Sequence, residues 1–114
     1  MKQFIKVMKA LSDPGRVKII KMLEHKTMCV CEIQALLELA QPTISKHLKI
    51  LEDAGLVVFS KDGLWVNYQL SRKVENPYAE CLLKNIKAWM NEEASVSKLV
   101  AKLPFINREE ICKK

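Results

Sequence analysis

The chain has 114 residues, of which 19 are Lys or Arg and 13 are Asp or Glu, and its formal charge is +6. This length suits one domain, and 49% apolar residues are enough for a core and argue against long disorder. No apolar run approaches the roughly 18 residues of a membrane span, and lysines near the start interrupt any signal-peptide core. We therefore expect a cytoplasmic protein without a membrane partner, whose four cysteines stay reduced.

The basic charge is concentrated at the start of the chain. Residues 1–26 carry seven basic and two acidic groups, whereas residues 27–59 carry two basic and four acidic groups. Residues 60–73 add three basic groups and one acidic group. A basic excess suits a polyanion such as nucleic acid, although solubility alone explains a net charge of this size about as well.

The first two helices are predicted by apolar residues at helical spacing and by a cap between them. The first helix runs from Phe4 to Leu11. Ser12 or Asp13 then provides an N-cap, and Pro14 suits the first turn of the second helix.

Two further helices are predicted with a tight break between them. Thr27 is a candidate N-cap of a short third helix, and residues 39–41 form the break. Pro42 opens a fourth helix, which Gly55 closes as a C-terminal cap.

The pattern changes to strands after the fourth helix. Residues 56–59 are apolar and β-prone, and residues 64–70 alternate with period two. Between them, Asp62 and Gly63 form the expected centre of a hairpin turn. A last long helix is expected over 77–93 and a weaker one over 96–103. We therefore predict one winged-helix and dimerisation domain over 1–104 and a polar tail over 105–114.

Two short helices followed by a hairpin are typical of a winged helix-turn-helix, so we predict a mainly α fold with a small β-hairpin. The second helix of such a pair enters the major groove. At about 100° per residue, Ile44, Leu48 and Leu51 fall on one buried face of this helix, and the opposite face is exposed. We expect DNA contacts from Gln41, Thr43, Ser45, Lys46, His47, Lys49 and, in the wing, Lys61.

These candidate residues have different expected roles. Lysines can neutralise phosphates, and the polar uncharged side chains can hydrogen-bond base edges or the DNA backbone. His47 falls on the shoulder of the buried face, so a base contact and a hydrogen bond within the fold are equally good interpretations.

The sequence Cys29-Val30-Cys31-Glu32 is expected at the start of the third helix. A Cys-x-Cys motif alone is a weak indication of a metal site, and two buried apolar thiols are the alternative. Residues i and i+2 lie about 200° apart on a regular helix. Both thiols could then reach one ion only if the first turn unwound.

Two segments resemble the ArsR/SmtB family of small bacterial repressors. They are residues 41–57, QPTISKHLKILEDAGLV, and residues 8–23, MKALSDPGRVKIIKML. The resemblance implies a homodimeric winged-helix repressor that pairs mainly through its first and last helices. It also implies release of double-stranded operator DNA when a soft metal ion or a thiol signal acts. An enzyme is not expected, because the chain has no nucleophile–base signature and no Gly-rich phosphate loop.

The resemblance is closest to members that sense trivalent arsenic or antimony, and it implies that Cys29 and Cys31 are the sensor thiols. As(III) and Sb(III) prefer three thiolates, which suit soft ions. Many relatives have a further cysteine where this chain has Gln34. The third ligand is therefore open between Cys81, Cys112 and an exogenous thiol. A cadmium or lead sensor and a sensor of thiol oxidation or persulfide are the alternatives.

Overall fold

A computed structural model describes residues 1–73 and 75–111 of the chain. These residues form seven α-helices and three short strands. The helices are α1 (Lys2–Ala10), α2 (Pro14–Leu23), α3 (Val30–Leu37), α4 (Gln41–Asp53), α5 (Pro77–Ile86), α6 (Ala94–Lys102) and α7 (Arg108–Ile111). The strands are β1 (Met28–Cys29), β2 (Val57–Asp62) and β3 (Trp65–Leu70). A 3-10 turn, Leu103–Phe105, follows α6.

The core lies between the first four helices and the base of the sheet, and it also contains Ala79 and Ile86 of α5 and Leu103 after α6. The predicted inner face of α4 is confirmed, because Ile44, Leu48 and Leu51 have no exposed surface. The predicted start of α2 is also confirmed: Asp13 is its N-cap, and its carboxylate accepts the backbone N–H of Arg16 over 3.2 Å. The mainly α, winged helix-turn-helix architecture predicted from the sequence is therefore confirmed.

The sheet has three antiparallel strands in the order β1-β3-β2, one more than the predicted hairpin. The additional strand, β1, pairs Met28 with Tyr68 and Cys29 with Asn67. A two-residue strand leaves no periodic pattern in the sequence, which is why it was not predicted.

The hairpin turn is displaced by one residue from its predicted position. Asp62 pairs with Trp65, so the turn is centred on Gly63 and Leu64 and not on Asp62 and Gly63. Gly63 has φ +61°, and a glycine at the first central position is what a type II′ turn requires.

The break between α3 and α4 consists of residues 38–40. Glu38 ends α3 in the left-handed conformation, with φ 56° and ψ 40°. Helix α4 then begins at Gln41, one residue earlier than predicted, and has Pro42 in its first turn. At the other end, Gly55 has φ +80° and closes the helix as expected.

The long last helix predicted over 77–93 is wrong in length. Helix α5 ends at Ile86, and Met90 has φ 62°, which no continuous helix accommodates. The weaker helix predicted over 96–103 is present as α6, which contacts α2. Part of the predicted polar tail is also helical, since residues 108–111 form α7. This helix lies against α3. The domain boundary at residue 104 stays a prediction, and Cys112 lies outside the described residues.

The end of α5 is held to α2 by a buried lysine. Lys21 is 1% exposed, and its Nζ donates to the carbonyl oxygen of Ile86 over 2.8 Å. The same Nζ lies 2.8 Å from Oε1 of Glu24. No helix in the described part of the chain is both long enough and apolar enough to cross a membrane.

Candidate DNA-binding surface and cysteine site

The outer face of α4 carries most of the residues predicted to contact DNA. Those whose side chains are exposed are Gln41, Thr43, Ser45, Lys46 and Lys49. Because Ala40, the N-cap, supplies no side-chain acceptor, the positive pole of the helix dipole is left for an anion near Thr43.

The lysines of this surface differ in their partners. Lys49 lies 3.2 Å from Asp53 one turn along the helix, and both side chains are at least half exposed. Within the described ranges, no carboxylate lies within ion-pair distance of Lys46. Lys61 is exposed on β2, two residues before the tip of the wing at Gly63. Lys46 and Lys61 are therefore the lysines here most available to a phosphate.

His47 faces inward, toward α2, and makes a hydrogen bond within the fold, which is one of the two interpretations of its position in the sequence. Its Nδ1 lies 3.2 Å from Nη1 of Arg16, and its Nε2 lies 3.6 Å from Oδ2 of Asp13. A guanidinium can only donate, so Nδ1 accepts and the ring proton sits on Nε2, facing Asp13. The geometry fits a neutral imidazole.

The pKa of His47 is lowered, in keeping with this tautomer. Desolvation is the main cause; the charge of Asp13 opposes the shift, and the charges of Arg16 and Lys46 add to it. Desolvation acts to raise the pKa of Asp13, but the N–H of Arg16 and the charge of His47 outweigh it and lower that pKa.

This contact joins three helices, and sequence reasoning missed it. Arg16 also donates through Nε to the carbonyl oxygen of Ala10 over 2.7 Å, at the end of α1. A side chain at Gly15 would place its Cβ 3.0 Å from both Asp13 and His47, so any larger residue there would press on this contact between α2 and α4. Gly15, a glycine inside the predicted second helix, is the feature of the sequence that could have indicated this close approach.

The two candidate sensor cysteines lie on either side of a strand-to-helix junction. Cys29 is the last residue of β1 and the N-cap of α3, with extended backbone (φ −89°, ψ 169°), and it is 2% exposed. Cys31 is the second residue of α3 and is half-buried. Pairing with Asn67 keeps Cys29 out of the helix. The expectation that Thr27 caps the helix and that both cysteines lie within it is therefore wrong.

Glu32 completes a capping box with Cys29. The carboxylate Oε1 of Glu32 accepts the backbone N–H of Cys29 over 3.0 Å, and Sγ of Cys29 accepts the backbone N–H of Glu32. The other oxygen, Oε2, lies 3.4 Å from Nζ of Lys26. The pKa of the Cys29 thiol is raised by burial; the N–H of Glu32 opposes the shift, and the charge of Glu32 adds to it.

The structure does not bring Cys81 to this pair. Cys81 is an exposed free thiol on α5, and its Sγ lies 3.4 Å from Nδ2 of Asn85. Across residues 1–73 and 75–111, no three His, Cys, Asp or Glu side chains are grouped so that they could hold a metal ion. The described part of one chain therefore offers two thiols at the junction, and Cys112 falls outside it.

An exposed helix packed on a helical core beside a two-stranded wing defines a winged helix-turn-helix regulator of transcription. Residues 13–58 match the family model described as "Bacterial regulatory protein, arsR family". The chain is also 35% identical over 100 residues to the arsenical resistance operon repressor of Escherichia coli (strain K12), covering 87% of this chain and 83% of that protein. The chain belongs to the arsR family of bacterial regulatory proteins, which are DNA-binding repressors and not enzymes.

Two further similarities bear on the fold and on the signal. The cadmium resistance transcriptional regulatory protein CadC homolog of Staphylococcus aureus is 41% identical over 66 residues, covering 57% of this chain and 54% of that protein. The solved structure of HlyU from Vibrio cholerae N16961 superposes with a TM-score of 0.63 at 28% identity, covering 75% of this chain and 88% of that chain.

Proposed function

We propose that this chain is the cytoplasmic repressor of a metalloid-resistance operon, and that it releases its operator when As(III) or Sb(III) binds the thiolates of Cys29 and Cys31. The observation that carries the proposal is the position of Cys29. It is at once the last residue of a strand paired with the wing and the N-cap of the helix before the DNA-reading helix.

Operator contacts are assigned to the outer face of α4 and to the wing. Thr43 and Ser45, with Gln41, are exposed where side chains of such a helix meet base edges, and Lys46, Lys49 and Lys61 reach phosphates. His47 is the weakest of the proposed contacts, because its imidazole is engaged by Arg16 and Asp13.

A homodimer is supported by an exposed apolar surface on α1 and α5. Phe4, Ile5 and Met8 of α1 are each more than a third exposed, as is Tyr78 of α5. The Phe4 and Tyr78 rings meet edge to face at 5.3 Å, so the two helices present one continuous apolar surface. We infer that the two α4 helices of such a dimer bind half-sites about one helical turn apart on DNA, the spacing usual for dimeric helix-turn-helix proteins.

Coupling between ion and operator has two routes through Cys29. In a metal-bound state the Cys29 sulfur would donate its electron pair to the ion, weakening its acceptance of the Glu32 N–H and loosening the first turn of α3. Helix α3 packs on α4. The neighbouring pair, Cys29 with Asn67, leads directly into β3 of the wing.

The test is a titration of DNA binding with arsenite. Wild-type protein should bind a labelled duplex from its own promoter with strong salt dependence and should lose affinity as arsenite is added. A Cys29→Ser, Cys31→Ser protein should bind the same duplex equally well and ignore arsenite. Arsenite-driven release by the double variant would show that the sensor site lies elsewhere.

A cadmium sensor is the second candidate, favoured by the similarity to the CadC homolog. Thiolates bind both ions, so the same titration with cadmium, and with peroxide for a thiol-oxidation signal, separates the candidates. The inducer is the agent that releases DNA at the lowest concentration, and its effect must require Cys29 and Cys31.

A further inference from the structure

One guanidinium group joins the C-terminal end of α1 to the DNA-reading helix α4. Arg16, half-buried in the first turn of α2, donates through Nε to the carbonyl oxygen of Ala10 over 2.7 Å. Through Nη2 it donates to the carbonyl oxygen of Lys9 over 3.1 Å, and through Nη1 to Nδ1 of His47 over 3.2 Å. Three donors of one planar group therefore reach acceptors on two other helices.

The contact with α1 lies at the end of the proposed dimer helix. Lys9 and Ala10 are the last two residues of α1. The last carbonyls of a helix have no partner within it and carry the negative pole of its dipole, so a cation is favourable there. The exposed apolar residues assigned above to the dimer surface lie on the same helix. Arg16 is thus bonded to the helix that is proposed to pair with the partner chain.

The contact with α4 restricts the rotation of that helix. The imidazole of His47 is 12% exposed, and its Nε2 lies 3.6 Å from Oδ2 of Asp13, the N-cap of α2. Apolar packing is non-directional, so the buried inner face of α4 tolerates a small rotation about the helix axis. Hydrogen bonds are directional, and the same rotation would break the bond from Arg16. The polar contact therefore fixes what the apolar packing leaves free.

We propose that Arg16 is a positioning residue for operator binding: it fixes the orientation of α4 relative to α1, and so sets the half-site spacing that a dimer accepts. The inference rests on the proposed function, in which α4 reads the operator and α1 pairs the two chains. One base pair more or less between half-sites shifts one of them by about 3.4 Å and turns it by about 34° around the DNA axis. A dimer whose α4 helices are fixed rejects that change, whereas one whose α4 helices rotate tolerates it.

The geometry of the contact selects the variants. Lys keeps the charge but has a single Nζ, which cannot span three acceptors in fixed positions, so Arg16→Lys should release α4. His47→Leu removes the acceptor on α4, whereas His47→Gln retains an amide oxygen that can accept from Arg16. Lys18→Gln, further along α2, removes a charge outside this contact and is the matched control.

The experiment measures the affinity of each protein for a footprinted operator duplex from its own promoter and for two derivatives, with one base pair inserted or deleted between the half-sites. Wild type and Lys18→Gln should prefer the natural spacing by about tenfold or more, and Arg16→Lys and His47→Leu by about threefold or less. His47→Gln should retain the wild-type preference. A loss of folded protein lowers the affinity for all three duplexes alike, so the ratio of affinities reports positioning and not stability.

The outcomes separate this inference from the proposed function. A wild-type protein that binds none of the duplexes would contradict the proposed function, and the inference with it. Wild-type binding with the full spacing preference kept in either Arg16→Lys or His47→Leu would overturn the inference alone. A wild-type protein that binds all three duplexes equally well would also overturn it.

Discussion

The backbone N–H of Cys29 donates to the carboxylate of Glu32 over 3.0 Å, and the Cys29 sulfur receives the N–H of Glu32 in return. A residue proposed to sense a metalloid therefore also holds the first turn of α3 in place. Since Cys29 is paired with Asn67 of β3 as well, we expect that an ion bound to its sulfur would affect a strand and a helix together.

Replacement of Cys29 should reveal its capping role in the absence of any metal. Ser at an N-cap keeps the acceptor for the Glu32 N–H, whereas Ala removes it, so Cys29→Ser should be about 1 kcal/mol more stable than Cys29→Ala. Urea unfolding measures the difference. Cys31 is not a cap, so Cys31→Ser and Cys31→Ala should differ less. Equal stability of the two Cys29 variants would contradict the capping box.

The exposed position of Lys46 on α4 predicts how operator affinity depends on salt concentration. Lys46→Ala should weaken operator binding and reduce the slope of log affinity against log salt by about 0.9, the value of one lost phosphate contact. Lys98→Ala removes the same charge from the exposed side of α6 and should leave the slope unchanged. If both variants lose the same slope, Lys46 acts through net charge alone.

The burial of His47 between α4 and α2, beside Arg16, predicts a dependence of stability on pH. The pKa of His47 in the folded protein lies below its ordinary value of 6.5, so the unfolded chain binds the proton more readily. Stability then rises with pH: the contribution is present above about pH 6.5 and is lost as pH falls through the lower, folded pKa. In His47→Gln, whose amide can accept from Arg16 and donate to Asp13, this step should disappear. Urea unfolding between pH 5 and pH 8, compared for the two proteins, checks it.

Burial of Lys21 predicts a large loss of stability on its removal. Lys21→Met leaves Glu24 with a 5% exposed side chain and without the cation beside it. It also removes one of the two donors to the carbonyl oxygen of Ile86, which still accepts the N–H of Trp89. Breaking a buried pair in this way costs about 3–5 kcal/mol. Adding Glu24→Gln to Lys21→Met should recover part of the loss in urea unfolding. A Lys21→Met protein as stable as wild type would mean that the pair is solvated.

Local patterns predicted the DNA-reading part of the molecule well. The inner face of α4, the Asp13 cap and the role of Gly55 depend on residues within a few positions of one another, so spacing and capping preferences suffice. Met28 and Cys29, by contrast, form a strand only because Tyr68 and Asn67 lie opposite, nearly forty residues away.

The same distinction explains the error in the cysteine site and two side-chain contacts that the sequence did not predict. Thr27 is as good a cap by type as any residue nearby, but the strand pairing places Cys29 in the capping position. The burial of Lys21 and the inward turn of His47 depend on α5 and α2 respectively, and neither partner is adjacent in sequence. The partners of a charged side chain across a core leave no local pattern.

If inducer and operator binding are linked through one chain, the linkage is reciprocal. The most direct test measures the dissociation constant of arsenite for the free protein and for the same protein saturated with operator DNA. Operator DNA should weaken arsenite binding by the same factor by which arsenite weakens operator binding, about 5–150-fold. Equal arsenite affinity with and without DNA would contradict the account.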